Sequence, residues 1–106
     1  MRKLIVPALV VAGLGLSAGP ASSAGTTVRL RDNVFSPKSR TVARNSTVTF
    51  RWAGRNAHNV VVTKGPVKFT APARIKGSFR RKLTRKGSYT VICTLHVGMQ
   101  LKLRVR

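Results

Sequence analysis

Cys93, His96 and Met99 stand at every third position of one short stretch running from Tyr89 to Met99. They are the sole cysteine, one of two histidines and one of two methionines in a chain of 106 residues. A thiolate, an imidazole and a thioether are soft or borderline donors, and their concentration here points to a metal site. Singly, each has a plainer reading. A lone buried cysteine packs as a small apolar residue, a lone histidine is more often structural, and a methionine in an alternating strand is more often core. The conjunction favours ligation. His58, the other histidine, is the candidate for a fourth donor. It opens the run His58-Asn-Val-Val-Val-Thr63, whose β-branched residues read as a buried strand.

The donor types favour copper. Thiolate and thioether suit Cu(I), imidazole serves both oxidation states, and copper heads the divalent affinity order. Zinc more usually takes four strong donors, or three and a water. Two histidines, one cysteine and a weaker methionine match the donor set of blue electron-transfer copper sites. A site that suits Cu(I) and Cu(II) alike passes one electron with little rearrangement. Gly98 lets the backbone turn sharply just before Met99.

The elements that must position these donors are strands. Tyr89, Val91 and Cys93 alternate with Thr90, Ile92 and Thr94. Beyond the donors, Met99, Leu101, Leu103 and Val105 alternate with Gln100, Lys102, Arg104 and Arg106. Cys93, His96 and Met99 therefore fall on the connection between two strands. Earlier in the chain, Val28 and Leu30 alternate with Thr27, Arg29 and Arg31, and Val48, Phe50 and Trp52 alternate with Thr47, Thr49 and Arg51. Asp32-Asn33 and Ser36-Pro37 are turn chemistry around Phe35, a core anchor. A short strand is expected around 40–44, with Val42 as its apolar residue, followed by a turn at Asn45-Ser46. Residues 66–76 read as a loop with at most a short edge segment near Phe69, because Pro66 and Pro72 oppose a regular strand. Residues 77–84 read as an edge strand, since Arg81 falls between Phe79 and Leu83. No helical period and no internal repeat is present. Some seven short strands argue for a small antiparallel β-sandwich in one domain.

The first residues have a different character. Arg2 and Lys3 precede an apolar run, Leu4 to Leu16, and small residues follow to Ala24. This is the layout of a secretory signal peptide, cleaved after Ala24 or Ala21, which leaves 25–106 as the domain. Pro7, several glycines and the short apolar run weaken the alternative of a retained anchor. A chain with one cysteine forms no internal disulfide, and an exported thiol survives by metal ligation or by burial.

The charge is extreme: 21 Lys and Arg against one acid, a formal +20. Only Arg2 and Lys3 lie in the leader, and the one acid is Asp32. Such a chain attracts polyanions, whether an acidic protein face, an anionic envelope surface or a nucleic acid. Most bases alternate with apolar residues, the pattern of a solvated strand face.

With these residues in view, the chain resembles the cupredoxins, the small blue copper proteins, and among them plastocyanin and amicyanin. Val28 to Pro37 is similar to that family's opening strand and Phe-x-Pro turn, and Ser46 to Trp52 to its strand before the first histidine. His58-Asn-Val-Val61 resembles the plastocyanin His-Asn-Val-Val. Gly87-x-Tyr-x-Val-x-Cys93-x-x-His96-x-x-Met99 resembles the family's ligand loop, with the short interval of amicyanin. Leu95 stands where many relatives have proline. The resemblance implies a Greek-key antiparallel β-sandwich holding one copper ion. His58 and His96 would ligate through Nδ1, Cys93 through its thiolate and Met99 as the weak axial donor. It also implies that Asn59 ties its strand to the ligand loop near Thr94, and that His96 lies in an apolar surface patch with Leu95 and Val97 as the electron port.

The function expected is that of an exported, periplasmic, envelope-associated or extracellular, monomeric one-electron carrier that docks a redox partner, acidic for preference, near His96. Two alternatives stay open: a protein that holds or delivers copper without electron transfer, and a polyanion-binding module with incidental donors. Nucleic acid is disfavoured, because Phe50, Trp52 and Tyr89 alternate inward rather than being interleaved with exposed bases. An enzyme is not expected, since Asp32 alone cannot form a carboxylate pair.

Overall fold

The computed structural model describes residues 25–106. The expected leader, residues 1–24, lies outside the described residues. Nine strands follow one another: β1 (Thr26–Arg31), β2 (Val34–Ser36), β3 (Ser39–Val42), β4 (Thr47–Trp52), β5 (His58–Lys64), β6 (Thr70–Arg74), β7 (Gly77–Lys82), β8 (Gly87–Ile92) and β9 (Gln100–Val105). They form a four-stranded sheet in the order β2-β1-β4-β7 and a five-stranded sheet in the order β3-β9-β8-β5-β6. The expected all-β sandwich is present, but its sheets are mixed. β1 lies parallel to β4, and β3 lies parallel to β9. Alternation reveals which face of a strand is buried but not the direction of its neighbour, so this pairing was invisible in the sequence.

The alternating residues build the core. Val28, Leu30, Val48, Phe50 and Trp52 from the four-stranded sheet face Val60, Val62, Tyr89, Val91, Leu101, Leu103 and Val105 from the other. Phe35 is buried as expected. Fully burying each of the larger side chains contributes about 1.5–3 kcal/mol relative to leaving it exposed.

Residues 66–76 differ from the expected loop, because Thr70–Arg74 form β6, the edge of the five-stranded sheet. Val60 pairs with Ala71 and His58 with Arg74, so Pro72 and Ala73 together oppose Asn59 in a β-bulge. An unpaired bulge position on an edge is where a residue without an N–H fits. β7 is the expected edge strand, pairing only with β4. Its half-buried Arg81 lays the guanidinium 5.1 Å from the Phe69 ring centroid, which lets a charged residue share a side with Phe79.

Candidate metal centre

The connection between β8 and β9 is a tight loop, Cys93 to Met99. Its ends are joined by the Cys93 N–H donating to the Met99 carbonyl (3.1 Å), and within it the Met99 N–H donates to the His96 carbonyl (3.2 Å). Gly98 takes φ +83°, the left-handed region that favours glycine. Cys93 and Met99 are buried, while His96 is half-buried. The three line one cleft with Val97 and Gly98.

His58, the first residue of β5, is fully buried. Its backbone carbonyl accepts the Trp52 Nε1–H at 2.7 Å, which ties the end of β4 to the start of β5. Its ring brings Nδ1 to 3.9 Å from Cys93 Sγ. One donor atom from each of His58, Cys93 and His96 lies within 4.8 Å of the others. The two imidazoles meet edge to face, their centroids 4.9 Å apart.

His96 Nε2 lies 3.1 Å from the Ala57 carbonyl oxygen. A hydrogen bond there keeps the proton on Nε2 and leaves Nδ1 as the lone-pair donor. His58 Nε2 is buried and has no hydrogen-bond partner among the described residues, and the Asp32 Oδ1 oxygen lies 3.8 Å from it. A negative carboxylate on that side favours the proton on Nε2, and Nδ1 is the nitrogen that faces Cys93 Sγ. Two imidazole nitrogens and a thiol converge on one point, the fit a thiolate- and imidazole-loving ion requires. Met99 is the fourth sequence candidate, and it sits buried at the mouth of the same loop.

Asp32, the sole acid of the chain, is a site residue that the sequence reading treated only as turn chemistry. Its Oδ1 accepts the backbone N–H groups of Arg55 (2.7 Å) and Asn56 (3.0 Å), which pins the loop that delivers His58. These bonds, first Asn56 and then Arg55, hold its carboxyl below the usual carboxylate range. A side chain at position 54 would collide with the same carboxylate, which explains Gly54. The signal was present, since a chain with one acid has a reason for keeping it. His58 is shifted downward, chiefly because burial disfavours its charged form and secondly through the neighbouring His96.

The expected brace is found. Asn59 Nδ2–H donates to Thr94 Oγ1 at 2.8 Å, and the Thr94 N–H donates to Asn59 Oδ1 at 2.8 Å. This pair fixes the residue after Cys93 against the residue after His58. Around His96 the surface is apolar, with Leu95 51% and Val97 fully exposed.

A mixed two-sheet sandwich with a His-Cys-His cluster at one end, the cysteine and second histidine on the β8–β9 loop, defines a cupredoxin. The match to the family of copper binding proteins described as plastocyanin/azurin spans residues 23–106, and the chain belongs to that family. It is 32% identical to plastocyanin of Prochlorothrix hollandica over 102 residues, covering 85% of this chain and 78% of that one. It is 33% identical to plastocyanin A/B of Petroselinum crispum over 79 residues, covering 65% and 81%. Among solved structures, an oxidised amicyanin variant superposes with a TM-score of 0.65 at 23% identity, covering 77% of this chain and 82% of that one. The copper-containing nitrite reductase of Thermus scotoductus superposes with a TM-score of 0.68 at 24% identity over 99% of this chain, which spans only 25% of the reductase chain. Both likenesses concern the fold.

Proposed function

We propose that this protein is an exported one-electron carrier holding one copper ion through His58, Cys93, His96 and Met99. The observation that carries the reading is the approach of His58 Nδ1 to Cys93 Sγ with His96 beside them, beneath an exposed apolar surface. Copper would supply a Cu(I)/Cu(II) couple. The chain does the rest. Cys93 and His58, both buried, keep bulk water from the thiolate, and Asn59 with Thr94 holds the loop that carries the sulfur. Asp32 and Ala57 keep the protons on the outer ring nitrogens, so the inner ones stay available. The half-buried His96 ring, ringed by Leu95 and Val97, offers a short path to a docked redox partner.

The reading is of a carrier and not of an enzyme. Export would follow from cleavage of residues 1–24, with 25–106 as the mature domain, and mass measurement of the exported protein checks that boundary. Addition of Cu(II) to the purified apoprotein is expected to give an intense blue band and the narrow copper hyperfine splitting of a thiolate site in EPR. Reversible bleaching on reduction is also expected. Cys93→Ala is expected to lose the blue band outright. Tight Cu(I) binding and transfer to an apo-acceptor, with no reversible redox cycle, would instead identify a copper-delivery protein.

A further inference from the structure

The two sheets carry their bases differently on their outer faces. On the five-stranded sheet, Lys102 pairs with Ser39 on one side and Thr90 on the other, and Arg104 pairs with Thr41 and Ser88. Both cross-strand neighbours of each of these two bases are thus hydroxyl residues. On the four-stranded sheet Arg29 and Arg51 have a serine on one side only, Ser36 and Ser78. Arg29 on β1 is the direct register partner of Arg51 on β4. Arg51 in turn pairs with Ser78 on β7, which sets Arg80 on the adjacent diagonal, and Arg31 lies two residues beyond Arg29 on the same face. All four arginines are exposed. Asp32, the only acid, is occupied with the backbone of Arg55 and Asn56.

Like charges directly opposite on neighbouring strands are destabilising, with side chains about 5 Å apart. Arg29 and Arg51 directly opposite one another, with Arg31 and Arg80 on the same face and no acid beside them, make a surface that an external anion would complete. Four guanidiniums favour oxyanions with phosphate geometry, because the planar fork binds them bidentately. The aromatics of the same strands point inward, so the face offers no stacking platform for single-stranded nucleic acid. Beside it, Arg51, Lys76 and Ser78 line a shallow depression that would seat one headgroup.

We infer that the outer face of the four-stranded sheet docks on an anionic lipid bilayer, gripping phosphate headgroups through Arg29, Arg31, Arg51 and Arg80. The docking face is a broad side of the sandwich and shares none of its residues with the His96 surface, so an adsorbed protein keeps its port free for a partner. The inference rests on the export reading for where the bilayer is met, and it is independent of copper.

The test is sedimentation of the exported protein, with and without copper, on vesicles containing 30% phosphatidylglycerol in phosphatidylcholine. Pure phosphatidylcholine vesicles and soluble glycerol phosphate serve as comparisons. The wild type is expected to bind the anionic vesicles alone, equally in both copper states, with no competition from millimolar glycerol phosphate. Each docking arginine is worth about fivefold in affinity, so Arg29→Gln/Arg51→Gln should lose about 25-fold. The charge-matched Lys102→Gln/Arg104→Gln should lose no more than about threefold. The arginine variant is also expected to melt no lower than wild type, since it relieves repulsion. Equal losses in the two variants, or no binding to anionic vesicles, would overturn the inference. So would an arginine variant that keeps vesicle binding but loses retention on polyglutamate, which would make the face one for an acidic protein.

Discussion

Four candidate donors are confined to two short segments, and their neighbours decide how each one behaves. Met99 is the weakest donor by chemistry, and axial ligands tune the potential of such sites. Met99→Leu is expected to keep a coloured copper site and raise its reduction potential, as read by spectroelectrochemical titration. Asp32 acts from outside the ligand set. Its negative charge beside the His58 ring favours the more positive oxidised site, so Asp32→Asn should raise the potential while leaving the blue band in place. A titration giving the wild-type potential would reduce Asp32 to a loop pin.

The two groups also set the acid sensitivity of the apoprotein, both through folded-state pKa values that lie below the ordinary ones. His58 has its folded-state pKa lowered from 6.5, so the unfolded chain takes up that proton first. Stability is therefore lost as pH falls below about 6.5 and until the folded histidine titrates. Asp32 has its folded-state pKa lowered from 3.8, so its contribution is present above that value and lost as pH falls below it. Denaturant unfolding of the apoprotein across pH 7 to 3 should show both declines, and Asp32→Asn should remove the second.

At the level of strands and loops, the site is a junction between β5 and the β8–β9 connection. Asn59 and Thr94 exchange two hydrogen bonds across it. Each is worth about 0.5–1.5 kcal/mol net, so Asn59→Ala should cost about 1–3 kcal/mol in denaturant unfolding. It should also broaden the copper EPR signal, because the loop bearing Cys93 loses its brace. The bulge opposite Asn59 belongs to the same junction: Pro72 and Ala73 together face Asn59, and His58 pairs with Arg74 beyond them. Periodicity located β1, β4, β8 and β9 because each buries one face and exposes the other, and β-branched composition located β5. β6 was read as no more than a short edge segment near Phe69 because Pro72 opposes a regular strand, and only its neighbours reveal a full edge strand at Thr70–Arg74. Asp32 was undervalued for a related reason. Nothing local links it to residues 54–58, which lie more than twenty positions away in the chain.

The whole molecule is a small neutral-cored sandwich wrapped in positive charge. Asp32 is the single acid available to offset the Lys and Arg side chains, so self-repulsion opposes folding. The melting temperature of the apoprotein is therefore expected to rise as salt goes from about 0.01 M to 0.15 M, where the Debye length shrinks from about 30 Å to about 8 Å. A flat profile would mean that the bases are already spaced widely enough to ignore one another. The same screening should weaken adsorption to anionic vesicles, so salt strengthens the fold and loosens the docking in parallel.

Residue types and intervals were enough to recognise the metal, the four candidate donors and the all-strand architecture, and the family resemblance they carry implied the Asn59 brace. Donor chemistry and alternation are local properties, and a chain this poor in Cys, His and Met leaves few ways to combine them. The parallel pairings, the Pro72 bulge, the grip of Asp32 on the His58 loop and the abutting arginines of β1 and β4 came only with the folded chain. Each depends on which distant strand lies alongside, and in which register. That is decided by how the two sheets close over a shared core, a global solution that no single segment encodes.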